Sequence, residues 1–131
     1  MRGHVQRSLA YFLVSDGDNI LGVNQNTGMV SVISGAAIPD GANPLVAARG
    51  IALDRPRSRI IVVDSGRPAL IAVSSSTGAR SIISDGRMPN GRNPLVDPEG
   101  IVIDQDKAIA FVADEQRVRA IDLITGERVQ L

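Results

Sequence analysis

Residues 43–54 read NPLVAARGIALD and residues 93–104 read NPLVDPEGIVID, so one frame returns after fifty positions. Outward from this pair, Thr77-Gly78 is preceded by Thr27-Gly28 and followed by Thr125-Gly126. Asp16, Asp64 and Asp114 each close an apolar run: FLVSD, IVVD and FVAD. Self-similarity at a fixed period of this length marks a repeat architecture. The second copy has 13 residues from Asp64 to Thr77 where the others have 11 between the matching Asp and Thr. Ser65, Gly66, Arg67 and Pro68 fall at the extra pair, as a loop would.

Within each copy the apolar runs have strand length. The second reads GIALD, RIIVVD and ALIAVS, then a turn at Ser76-Thr77-Gly78, then RSIIS. The third reads GIVID, AIAFVAD and VRAIDL, a turn at Thr125-Gly126, then ERVQL. The first reads GHVQ, AYFLVSD and ILGVN, a turn at Thr27-Gly28, then MVSVIS. Such runs are rich in Val and Ile and bounded by Gly, Pro, Asp or Ser, which predicts strands. No segment keeps apolar residues at helical spacing for three turns, so no helix is expected.

Four short strands per unit of nearly fifty residues is the pattern of a β-propeller blade. The expected fold is all-β: one propeller segment of three four-stranded antiparallel blades, half of a six-bladed ring. The blades are placed at about 2–34, 49–84 and 99–131 of a single domain. The doubly apolar first strands, GIALD and GIVID, suit the inner position, covered on both faces. The Gly after each Thr supplies the positive φ of a tight hairpin. The recurring Asp residues, and Asp54 and Asp104 likewise, are expected to bond loop N–H groups at strand ends.

Connectors 35–48 and 85–98 are equal in length and share Pro39/Pro89, Gly41/Gly91, Asn43/Asn93 and Pro44/Pro94. They are expected to hold one fixed shape over the neighbouring blades, with Leu45 and Leu95 as apolar plugs.

Composition removes several functions. Lys+Arg and Asp+Glu number 14 each, so no net field draws the 131-residue chain to nucleic acid or an acidic membrane. There is no Cys, which removes disulfides and thiol chemistry. Aromatics are 2%, poor provision for stacking bases or sugars. The apolar run from Leu9 to Val14 is too short to span a bilayer, and the polar SDGD that follows it offers no cleavage site. Neither a signal peptide nor a membrane partner is expected.

PEGIVID (98–104), FVAD (111–114), VRAIDLITGERVQL (118–131), IIVVDSG (60–66) and IISDG (82–86) together resemble the NHL-like and gluconolactonase-type six-bladed propellers. That superfamily includes the gluconolactonase, senescence-marker and luciferin-regenerating proteins. The resemblance implies the propeller fold and, for its enzymes, a divalent cation such as Ca²⁺ acting on sugar lactones. In those enzymes acidic or Asn ligands precede the Gly that opens an inner strand. The matching positions here are Arg2, Arg49 and Glu99, and of these only Glu99 is a cation ligand. No bound metal or other cofactor is therefore expected, the divalent cation being the alternative.

His4 is the only His and has no partner in the sequence that would make it a base. Ser15, Ser65 and Ser84 lack any nucleophile context. The expected function is a non-catalytic module that binds a ligand or a protein at the channel mouth, near Arg2, Arg49, Arg67 and Glu99. The two mouth arginines favour a small anion. The alternative is a metal-dependent, gluconolactonase-like sugar-lactone hydrolase built on Glu99. Three blades leave two large faces uncovered. A homodimer, or further blades, is expected to complete the ring.

Overall fold

The computed structural model describes residues 5–7 and 11–131. Its strands fall into three groups of four. The first blade holds β1 (Val5–Arg7), β2 (Tyr11–Asp16), β3 (Asn19–Asn24) and β4 (Val30–Ser34). The second holds β5 (Ala48–Asp54), β6 (Arg59–Asp64), β7 (Ala69–Ser74) and β8 (Arg80–Ser84). The third holds β9 (Pro98–Asp104), β10 (Ile109–Asp114), β11 (Arg117–Asp122) and β12 (Arg128–Gln130). Each group is an antiparallel meander in chain order. The expected first strand at 3–6 is observed as Val5–Arg7; Gly3 and His4 lie outside the described residues. Among the described residues the helical structure is one short 3₁₀ turn, Arg55–Arg57, with Pro56 inside it. Among the described residues no helix is long and apolar enough to cross a membrane.

The first strands lie innermost, with β5 beside β9. The close approach explains a glycine: a Cβ at Gly50 would run into the Glu99 carbonyl oxygen. Two apolar cores sit between the blades, one on each side of the second. Alternation along β6 and β7 feeds both. Ile60, Val62, Ile71 and Val73 face the first blade, and Ile61, Val63, Leu70 and Ala72 face the third. Each fully buried Ile, Leu or Val contributes about 1.5–3 kcal/mol. We call the side of a blade that meets its predecessor the leading face, and the other the trailing face.

The connectors hold one fixed shape, as expected, and the motif NPLV is explained residue by residue. Asn43 and Asn93 take left-handed φ of 48° and 46°, which Asn tolerates better than most residues. Their amides donate to the Arg80 and Arg128 carbonyls at 3.0 and 3.1 Å. Leu45 and Leu95 are buried plugs. The Val46 and Ala47 N–H groups donate to Asp64, and those of Val96 and Asp97 to Asp114. These two aspartates thus bond loop N–H groups at strand ends, as expected. The Thr turns also match: Gly28, Gly78 and Gly126 have φ of 73°, 76° and 78°.

Arg80 and Arg128 extend this scheme. Arg80 Nη1 donates to Ser34 Oγ and the Gly35 carbonyl, both at 2.7 Å. Its Nη2 reaches the Asp40 and Ala42 carbonyls at 2.9 Å, and its Nε reaches Asn43 at 2.8 Å. Arg128 repeats the pattern on Ser84, Asp85, Asn90, Arg92 and Asn93. Each guanidinium, itself buried, gathers a connector around the leading edge of the next blade. Burial pushes the Arg128 pKa down, while Asp85 and Glu127 oppose the shift.

Candidate functional site

The hairpin turn after β6, the start of β5 and the end of connector 35–48 meet at one end of the second blade. Ala48 pairs with Asp64, and the Ser65 N–H donates to the Ala47 carbonyl at 3.1 Å. The Gly66 N–H donates to Asp64 at 2.9 Å, which folds the two-residue insertion back over the strand end. A Cβ at Gly66 would run into the Val46 side chain, so only Gly fits there.

Arg67 is half-buried, and its Nε and Nη2 atoms are out of contact with water and have no hydrogen-bond partner among the described residues. A buried guanidinium N–H with no acceptor is costly, so these two atoms are left as unsatisfied donors.

The other expected residues are brought together differently. Arg49, at the start of β5, donates through Nη1 to Glu99 Oε1 at the start of β9. The same Nη1 lies 3.5 Å from Asp97 Oδ1. Two carboxylates thus share one guanidinium, and the local balance is negative. Asp97 was not singled out in the sequence. The signal was present in the contrast between AARG and DPEG in the repeated frame. Arg2, the fourth expected residue, lies outside the described residues, as does His4.

A divalent cation does not fit this donor set. Glu99 is engaged by the guanidinium of the residue that occupies the neighbouring ligand position, and that cation would repel the ion. Among the described residues no group of three or more His, Asp or Glu side chains converges as a metal site would require.

Other concavities lie between blades. One groove, of about 290 Å³, is lined by Leu13, Ile33, Leu53 and Ile60 between the first and second blades. Its counterpart on the second blade, also about 290 Å³, is lined by Arg57, Arg59 and Arg80. Two of those three arginines are paired with Asp54, at 3.2 and 2.8 Å, and Arg80 is held by the connector.

Comparison with known proteins bears on the fold. No protein-family model and no curated protein sequence matches the chain. Solved structures do. A chain of the crystal structure of a nidogen/laminin complex superposes with a TM-score of 0.70 at 18% identity, over 92% of this chain and 43% of that one. An auxiliary nutrient binding protein from Bacteroides thetaiotaomicron VPI-5482 gives 0.67 at 15% identity, over 90% of this chain and 36% of that one. This chain therefore spans less than half the length of either. The fold is a β-propeller segment of three four-stranded blades.

Proposed function

We propose that the chain is a non-catalytic β-propeller binding module whose ligand is a small anion, held by Arg67 at the mouth of the channel the blades surround. The carrying observation is the pair of buried guanidinium atoms, Nε and Nη2, that have no partner among the described residues. A carboxylate or phosphate supplies two acceptors in the geometry of that fork. The location agrees with this role: Arg67 sits in the loop that sets the second copy apart, and binding residues concentrate on such loops. One similar chain comes from a nidogen/laminin complex and another is named an auxiliary nutrient binding protein. Engagement of Glu99 by Arg49 favours this reading over the lactone hydrolase. A propeller needs four to eight blades, so the ring is completed by blades beyond these three, six in the family the sequence resembles.

Calorimetric titration with inorganic phosphate and with acetate tests the site. Binding of one of them is expected, weakened by about tenfold or more in Arg67→Ala, as loss of a charge-assisted fork requires. Equal affinity in the two proteins would refute the assignment.

A further inference from the structure

Building on that reading of an incomplete ring, we propose that the leading face of the first blade is covered by the third blade of a second copy of this chain. Two chains then close a six-bladed ring about a two-fold axis.

The main observation is Val30. At both internal junctions the last strand of the leading face carries the arginine that clasps the connector crossing that junction, Arg80 in β8 and Arg128 in β12. The same register in β4 holds Val30, 60% exposed. The first blade is thus shaped for a neighbour that sends no connector across. Across β2 to β4 its leading face bears the rows Phe12–Val23–Val30 and Val14–Leu21–Val32, with no charged residue among these six, while the register of β1 sets Arg7 opposite Phe12.

The trailing face of the third blade is the matching half. The row Val102–Phe111–Ala120–Val129 crosses all four strands and is also uncharged. Val102 and Val129 are 65% and 55% exposed. The equivalent row of the second blade, Ala52–Ile61–Ala72–Ser81, already faces a following blade, with Ile61 and Ala72 buried in the core shared with it. An exposed apolar sheet face of this kind marks a contact surface.

The aromatic residues support the pairing. The chain has two Phe, and they are Phe12 and Phe111. Phe12 occupies the position of Ile60 on a leading face, and Phe111 that of Leu13 on a trailing face. Ile60 and Leu13 share one core cluster. Docking copies by the internal geometry therefore sets Phe12 against Phe111 of the second copy, an aromatic pair where interfaces gain most. The glycines agree. A Cβ at Gly78 or Gly126 would run into a carbonyl of the preceding blade, whereas Gly28 has open space around it. Likewise Gly50 is filled by the following blade and Gly100 is open. Three blades cannot bring their own ends together, whereas a second copy supplies both missing junctions.

Sedimentation equilibrium on the 131-residue chain across a micromolar dilution series tests this. A closed species of twice the 13.8 kDa chain mass is expected. Val30→Arg puts a charge in the contact and is expected to weaken association by about tenfold or more. It leaves the β-sheet circular dichroism intact, since Arg stands at this register in the other blades. Phe111→Glu, on the opposite face, is expected to do the same. A folded monomer at every concentration, open filaments, or unchanged association in both variants would overturn the proposal. The anion site fails separately: Arg67→Ala is expected to leave the oligomeric state unchanged, so failure of either idea is recognised without the other.

Discussion

The second and third blades share a strand order, a Thr-Gly turn and an Asp that holds the incoming connector, yet their trailing faces differ in exposure. Leu70 in β7 is fully buried against the third blade, while Val118, at the same place in β11, is 42% exposed. The meander is the same, and what differs is a neighbour. A blade is thus a local structure whose stability comes from outside itself, which is the general condition of repeat proteins. The first blade shows the same dependence on its other side, where Phe12, Val30 and Val32 are exposed.

Paired substitutions sharpen or break this comparison, measured by urea unfolding in dilute protein with these faces uncovered. The largest difference is expected between Arg80→Ala and Val30→Ala. The first strips the connector carbonyls of their donor and costs about 3–5 kcal/mol. The second, at the same register, stays within about 0.5 kcal/mol. Similar costs for both would show that the clasp contributes nothing. Next comes Leu70→Ala, expected to cost about 3 kcal/mol through lost burial and a residual cavity. Val118→Ala is expected to cost less than about 1 kcal/mol, and equal values would contradict the difference in covering. The smallest contrast is Gly78→Ala against Gly28→Ala. Both positions have positive φ, so each carries a backbone penalty of about 1 kcal/mol. Only the first adds a collision, with the Ile33 carbonyl, and an equal loss would mean that the blades separate without cost.

The architecture was legible because the repeat multiplies every weak signal. The Asn43/Asn93 and Asp64/Asp114 pairs each have one job, done at every described copy of the junction. The clasp was less visible. Arg80 and Arg128 each follow the turn Gly by two residues, a regularity in plain sight. On a strand, however, Arg ordinarily reads as a solvated residue. Its burial exists only once a connector from forty residues earlier has wrapped it. The ion pair at Arg49 was hidden for a related reason. Arg49 reads as a free cation until the repeat sets Glu99 beside it, fifty residues on. Arg67 stood out by sitting in an insertion, yet the burial of its Nε and Nη2 without a partner among the described residues is a property of the folded chain that no sequence pattern carries.

The clasp also defines which piece of this polypeptide is interchangeable. Arg80 holds the segment before its own blade, and Asp64 caps the end of that same segment. A unit excised from Gly35 to Ser84 carries nearly all of these contacts inside it, whereas one cut at the blade borders severs them. Tandem arrays engineered from this protein should therefore be spliced just after Ser34 and Ser84, upstream of the connectors, so that each transplanted cassette brings the strap that fastens it.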